Sequence, residues 1–419
     1  MNEKDIIKLA ANQPAQFGIV REFYRDPDIY ERDIERIFMN SWLYAGHHSE
    51  IPQVGDWFLF ELADESVIIM RSTEDEINAL INVCRHRGSR ICVENKGCAK
   101  ILVCPYHAWS YDLKGQLRGA AHMGESFDKS GISLRKIHVE LLQGLIFINF
   151  ADKPSSFTPV REGLADCLSP YQLENAKVAH RQTYPIESNW KLAVENYCEC
   201  YHCAPSHPEY SRGHSLAWPA QRSGQEHDDL LSRAEACGLG TDFVNRTYLD
   251  APGFGADFAY ERYALIRGHV TGSKDGKPVA PLLGDIRDYD GGATDLHVGP
   301  VTYALMYCDH VVIYRFTPVS VGQSECDITW LVNHDAQEGT DYDRDKLIWL
   351  WDVTTLADQT IIENNQRGVN SRFYQPGPLS TMEDYTLNFL SWYLDTMKRP
   401  DEKPETPSPS NDPVAGNQG

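Results

Sequence analysis

Cys84-Arg85-His86 and, after seventeen intervening residues, Cys104-Pro105-Tyr106-His107 decide how the first half of this chain is read. Each stretch offers one thiol and one imidazole, so two loops could bring four ligands to one site as structural zinc or an iron–sulfur cluster. Zinc loops usually pair Cys with Cys. One Cys and one His per loop instead suits a cluster in which two thiolates hold one iron and two imidazoles the other. Working outward, residues 55–150 hold short apolar runs such as Trp57-Phe58-Leu59-Phe60, Ser66 to Met70 and Ile101-Leu102-Val103, broken by Gly, Asp and Asn. That pattern predicts a small β domain presenting the loops. Cys92 and Cys98, between the two loops, are expected to be buried thiols.

A second constellation lies in the segment from Asn189 to His207. Trp190, Leu192, Ala193, Val194, Asn196 and Tyr197 have helical spacing, predicting a helix within 186–202 that ends before Pro205 and Pro208. His202 at its end and His207 past the bend can face one metal from adjacent corners. A ferrous site for oxygen chemistry needs two imidazoles and one carboxylate on one face, so the third ligand must come from elsewhere. Glu199, three residues before His202, lies on the same helical face and can accept the outer N–H of that imidazole; Glu195, a turn earlier, is the alternative.

Elsewhere, Ile29, Tyr30, Ile34, Ile37, Phe38 and Trp42 predict an amphipathic helix over 28–42 after Asp26-Pro27-Asp28. Residues 251–299 read as an irregular Gly- and Asp-rich stretch. Runs at 301–306, 310–316 and 326–332 predict strands of a second sheet. Helices are expected over 343–366, stopping at Arg367-Gly368, and over 385–397. The chain thus divides into an N-terminal helical segment (1–40), the β domain (41–155), a catalytic domain (156–398) and a disordered tail (399–419).

Composition narrows the classes. The 419 residues carry 39 Lys and Arg against 60 Asp and Glu, a formal net charge of −21, which argues against a nucleic-acid partner. The strongest apolar run, Leu141 to Phe150, is half of what a membrane span needs. Met1 to Ala11 lacks the apolar core of an export signal, predicting a cytoplasmic protein without a membrane partner. Eleven cysteines, an odd number at uneven spacing, suggest free thiols and metal ligands rather than disulfides.

Together the two constellations resemble the catalytic (alpha) subunit of Rieske non-haem iron oxygenases, from about Ile29 to Met397. The first pair is followed by Gly88 and Ser89, and the second by Trp109 and Tyr111, as in that family. The resemblance implies an α+β fold: an N-terminal all-β Rieske domain, with Cys84, His86, Cys104 and His107 holding a [2Fe-2S] cluster, and a catalytic domain of helices on an antiparallel sheet. It places the carboxylate ligand on a late helix, where Asp358, Glu363 and Gln366 fit the family spacing; Asp358 takes the ligand role beside His202 and His207, with Asp352 the alternative. It makes Glu199 the acid bridging to a cluster His of the neighbouring subunit, through His107, Glu199 and His202. It further implies a head-to-tail homotrimer, a mononuclear Fe(II), O₂ as co-substrate, and electrons from NAD(P)H through a separate flavin or ferredoxin-type reductase. No Gly-rich dinucleotide loop follows a strand here.

The run Glu199-Cys200-Tyr201-His202-Cys203 and the segment Thr271 to Gly284 look like the branch that attacks glycine betaine, carnitine and proline betaine. The implied reaction is monooxygenation of an N-methyl group with N-demethylation and formaldehyde release. Aromatic ring hydroxylation is the nearer rival, and a Rieske electron carrier without catalysis the remoter one. Tyr197, Phe258, Tyr260, Tyr263, Tyr303, Tyr307, Tyr314 and Phe316 are the candidates for lining a cation pocket. The loop 271–284 either covers the site mouth or forms a surface hairpin.

Overall fold

The computed structural model describes residues 1–124, 126–214, 224–240, 244–247 and 258–400. The expected disordered tail therefore lies, apart from its first two residues, outside the described residues. Alternating apolar residues build two antiparallel layers. The first contains β1 (Leu43–His47), β2 (Asp56–Leu62), β3 (Glu65–Thr73), β4 (Glu76–Ile81), β5 (Lys96–Cys98), β9 (Lys136–Leu142) and β10 (Leu145–Asn149), in the order β1-β10-β9-β4-β3-β2-β5. A three-stranded sheet of β6 (Leu102–Val103), β7 (Ser110–Tyr111) and β8 (Leu117–Gly119) carries the second cysteine loop. Trp57, Ile68, Met70, Leu80, Trp109 and Tyr111 form the core between them.

The second large sheet comprises β11 (Ala176–Ile186), β12 (Val244–Thr247), β13 (Phe258–Ala264), β14 (Gly292–Val298), β15 (Thr302–Met306), β16 (Val311–Ser320) and β17 (Gln323–Asn333). Its order is β11-β17-β16-β15-β14-β13-β12. Strands β13 and β14 fall within the stretch expected to be irregular. Their alternation, in Phe258-Ala-Tyr-Glu-Arg-Tyr-Ala, is hidden because both faces of the sheet are covered and the buried positions include Arg262 and Thr294.

Helices α1 (Glu3–Ala11), α2 (Glu22–Arg25) and α3 (Pro27–Asp33) lead into a π-helical turn at Ile34–Phe38, so the amphipathic helix expected over 28–42 is shorter and changes pitch midway. Helix α4 (Thr158–Leu168) covers one face of the second sheet. Helices α5 (Trp190–Tyr197), α6 (Cys203–Ser206), α7 (Pro208–Ser211) and α8 (Gly224–Cys237) follow in the connection to β12. Helix α9 (Arg344–Val369) runs through Gly368 instead of stopping there, because Val369 is buried and continues its packed face. Helix α10 (Asp384–Lys398) packs on α1. No described helix is long and apolar enough to cross a membrane.

Candidate functional site: two metal centres and the face between sheet and helices

The two cysteine loops share one backbone design. The Cys84 N–H donates to Ser89 O (2.9 Å) and Gly88 N–H to Cys84 O (3.0 Å); the Cys104 N–H donates to Trp109 O (2.8 Å) and Ala108 N–H to Cys104 O (3.0 Å). In both loops the fourth residue after the cysteine takes a left-handed conformation, Gly88 at φ 76° and Ala108 at φ 56°. The repeated turn points each loop's ligands at the other. His86 Nδ1 lies 3.1 Å from His107 Nδ1, and the Trp109 ring stacks on His86 at 4.7 Å. Cys84 Sγ meets the Tyr111 hydroxyl at 3.2 Å. Burial alone would raise the Cys104 thiol, but the N–H groups of Tyr106 and His107 and the side chains of Cys84 and Ser89 outweigh it and hold it below the usual range. Both cysteines are buried and both histidines exposed, so two sulfurs face inward and two imidazoles reach the surface, a donor set that fits a [2Fe-2S] cluster of mixed ligation. Cys92 is buried as expected. Cys98 is not: it ends the edge strand β5, whose three residues are all exposed.

The second centre is assembled over long sequence distances. His207 Nε2 and His202 Nε2 lie 2.8 and 3.2 Å from the same oxygen, Asp358 Oδ1, and the three ligand atoms lie within 4.8 Å of one another. This is the two-histidine, one-carboxylate donor set that suits ferrous iron with open positions. Burial depresses the His202 imidazole, yet Asp358 and Glu199 overcome it and push its pKa up to about 9. The two carboxylates thus favour positive charge beside them, which a metal cation held through Nε2 would also supply. Asp352 instead accepts the Tyr184 hydroxyl at 2.7 Å. Glu363 accepts the Glu187 N–H and Gln366 the Asn189 N–H at 2.8 Å, so both hold the chain entering α5.

Helix α5 ends at Tyr197, short of His202. Glu199 and His202 therefore do not share a helical face. Glu199 caps the following turn through the N–H groups of Tyr201 and His202, and its other oxygen lies 2.5 Å from His202 Nδ1. The same turn brings Cys200 and Cys203 to a Cα separation of 4.9 Å, where they form a disulfide against the free thiols expected; the other nine cysteines are free. Glu195 points elsewhere, accepting the Tyr24 hydroxyl at 2.9 Å, and burial pushes its carboxyl up to about 8. Glu195, Glu199 and His202 all line one cleft of about 250 Å³ between α5, α9 and the N-terminal segment.

The aromatic candidates divide by sheet face. Phe258 and Tyr260 point into the core under α4, away from His202, His207 and Asp358. Tyr263, Tyr303, Tyr307, Tyr314 and Phe316 point to the opposite face, where Tyr197 stacks among them, 4.3 Å from Tyr303 and 5.3 Å from Tyr314. The loop 271–284 packs beside this face: Gly272 abuts the Tyr307 ring, where a Cβ would come within 2.3 Å of it, and Thr271 Oγ1 donates to Asp309 at 2.6 Å. Its first residues, Thr271 to Ser273, are buried, while Lys274, Asp275 and Lys277 are exposed. Glu261 and Asp295, paired across β13 and β14, share the face with Tyr263; no motif in the sequence marks them.

Comparisons with known proteins agree with this architecture. Residues 173–399 match the family model of the ring hydroxylating alpha subunit (catalytic domain), and residues 41–137 match the Rieske [2Fe-2S] domain. The oxygenase subunit of glycine betaine monooxygenase from Pseudomonas aeruginosa (strain ATCC 15692) is 38% identical over 91% of this chain and 89% of its own. The subunit of the same name from Chromohalobacter salexigens is 37% identical over 91% and 86%. Among solved structures, the quaternary ammonium Rieske monooxygenase CntA in complex with L-carnitine superposes with a TM-score of 0.67 at 22% identity, covering 93% of this chain and 98% of that one, a likeness of fold. With its α+β architecture of Rieske and catalytic domains, the chain belongs to the ring-hydroxylating alpha subunit family: it is the oxygenase subunit of a Rieske-type oxidoreductase that uses a [2Fe-2S] cluster, mononuclear iron and O₂.

Proposed function

We propose that this chain is the terminal oxygenase component of a system that monooxygenates a quaternary ammonium substrate of the betaine type, releasing formaldehyde by N-demethylation. The observation that carries the reading is the tyrosine-lined sheet face beside the His202, His207 and Asp358 triad, in a chain 38% identical to a glycine betaine monooxygenase subunit. Ring faces attract a desolvated ammonium by about 0.5–2 kcal/mol each.

In this reading Cys84, Cys104, His86 and His107 hold the cluster, and His202, His207 and Asp358 hold the mononuclear iron. When bound, the two centres supply electrons and the activation of O₂. Glu199 keeps the proton of His202 on Nδ1 and so leaves Nε2 free to ligate. Tyr197 and the sheet tyrosines orient the ammonium and exclude water. Hydroxylation of one N-methyl carbon gives a hemiaminal, whose C–N bond breaks to yield formaldehyde and the tertiary amine. Because His86 and His107 lie at the surface while Glu199 lies in the cleft, electrons arrive from a neighbouring subunit's cluster docked against that cleft, in a homotrimer fed by a separate NAD(P)H-dependent reductase in the cytoplasm.

The test is NADH and O₂ consumption with a surrogate reductase across betaines and aromatic substrates, with formaldehyde assayed alongside. Formaldehyde stoichiometric with NADH for a betaine supports the reading. Coupled turnover with aromatics alone, giving diols or phenols, replaces it with ring hydroxylation, the activity named for the benzene 1,2-dioxygenase alpha subunit of Pseudomonas putida, 36% identical over 43% of this chain.

A further inference from the structure

The cleft between α5, α9 and the N-terminal segment holds a carboxyl that neither metal centre uses. Glu195 projects from the last turn of α5 into the same space of about 250 Å³ as Glu199 and His202. Both of its oxygens meet the Tyr24 hydroxyl, at 2.9 and 3.2 Å. The space has room for several waters and polar groups to hold them. Asn196, the next residue, lines the cleft as well and places its amide nitrogen 3.4 Å from His202 Nε2, the nitrogen that faces Asp358. The cleft wall thus runs from Glu195 to the side of His202 on which the triad converges.

The groups around Glu195 set how it carries a proton. Burial pushes the carboxyl up to about 8, opposed by the Tyr24 hydroxyl and by the Lys191 ammonium one turn earlier on α5, and helped by the Glu383 carboxylate at the start of α10. Lys191 is itself paired with Asp33. The other hydroxyls nearby are turned elsewhere, Tyr374 onto the Ile19 carbonyl at 3.2 Å and Tyr393 onto Asp33 at 2.8 Å. Helix α9 contributes Ile361, Ile362 and Asn365, none of them charged, and Glu199 is engaged by His202. Glu195 therefore rests mostly as a neutral acid at pH 7, and the Tyr24 O–H is in place to stabilise the carboxylate that remains once the proton has left.

Oxygenation consumes protons as well as electrons. Inserting one atom of O₂ into a C–H bond takes up two electrons and two protons and releases the other atom as water; forming a diol from an aromatic ring takes up the same number of each. The reductase supplies the electrons, and the protons come from solvent through the protein. We propose that Glu195 is the proton store of this oxygenase: the O–H bond of its carboxyl breaks, the proton passes to cleft water and along the Asn196 wall to the Nε2 side of His202, where reduction of O₂ consumes it, and a solvent proton returns to the carboxylate. Glu195 touches neither centre and acts through the cleft, with Tyr24 stabilising its charged form. The inference needs only the two-electron chemistry of O₂, and it holds for a betaine and for an aromatic substrate alike.

The test reads the proton directly. Infrared titration of the holoenzyme, which needs no turnover, is expected to show the carbonyl band of a protonated carboxyl that disappears with a midpoint of about 8. Glu195→Gln is expected to remove that band, and Tyr24→Phe to move its midpoint up by at least about half a pH unit, because the carboxylate loses a donor. The second measurement is single-turnover reoxidation of the reduced cluster by O₂, with whichever compound turns over in the assay above. Wild type is expected to slow above about pH 8; Glu195→Gln is expected to be at least about 10-fold slower at pH 7 and to lose the pH dependence, and Glu195→Asp to restore a titrating profile. No titrating band in wild type, a band that persists in Glu195→Gln, or a wild-type rate and pH profile in that variant overturns the proposal. If Glu195→Gln does not fold, Tyr24→Phe decides: an unmoved midpoint overturns it. Failure of the betaine reading leaves these outcomes as they are, because no step of the test depends on formaldehyde.

Discussion

Replacing Asp33 by alanine tests how the N-terminal segment supports the iron site. Asp33 on α3 and Lys191 in the first turn of α5 form an ion pair with both side chains fully buried. Asp33 also accepts Trp190 Nε1 at 3.1 Å and the Tyr393 hydroxyl at 2.8 Å, so one carboxylate joins α3, α5 and α10. Burial raises the Asp33 carboxyl and lowers the Lys191 ammonium despite their mutual attraction. Desolvation therefore offsets most of what the pair gains, and its net contribution is small. Removing one partner is different: Asp33→Ala strands a buried ammonium and leaves the indole N–H and phenol O–H without an acceptor. The expected loss is about 3–5 kcal/mol, read from the denaturant midpoint of the holoenzyme, while Asp33→Leu with Lys191→Met recovers most of it. The sign with pH is also fixed. A stranded Lys191 has a folded pKa below its unfolded value, so the unfolded state binds more protons and the variant gains stability as pH rises toward 10. Because α5 leads directly into Glu199 and His202, mononuclear iron should be lost before the cluster. A single variant within about 1 kcal/mol of wild type, or a double variant no more stable than the single, would refute this account.

Asp358→Ala is expected to lose the mononuclear iron while cluster absorption persists; normal iron content by metal analysis would move the ligand role to another carboxylate. Glu199→Gln should slow turnover about 10–100-fold with both metals retained, and a wild-type rate would show that the His202 contact does not matter to electron delivery. His47 is buried, holds the Leu173 carbonyl 3.0 Å from its Nε2, and has its pKa lowered to about 3 by burial and by His48. Between pH 6.5 and 3 the unfolded chain takes up a proton that the folded one refuses, so stability falls with acid across that window. His47→Gln should flatten the slope, and an unchanged acid-unfolding profile would count against it.

The cluster loops were legible because their chemistry is local. Ligands two or three residues apart on a tight turn are placed by covalent spacing, and two such turns on neighbouring hairpins need only a small β domain to meet. His202 and His207, five residues apart across one bend, are legible for the same reason. Spacing could not reveal that helix α5 stops at Tyr197, because the Glu199 carboxylate ends it by capping the next turn, or that Cys200 and Cys203 meet there. The choice of Asp358 over Asp352 came only from the family resemblance: both share one helix, and it is the packing of α9 that aims one at Tyr184 and the other, 151 residues from His207, at the histidines.

The tyrosines show the same division at larger scale. Alternation along a strand tells the sequence reader that residues such as Tyr260 and Tyr263 can take opposite faces, but not which face the helices turn into a reactive cavity. By itself the sequence determined the family, the two kinds of metal centre and which Cys and His residues sit close together, because these follow from bonded geometry over a few residues. Tertiary structure decided which late carboxylate actually meets His202 and His207 and which rings share their face of the sheet, because those depend on elements packed together from distant parts of the chain.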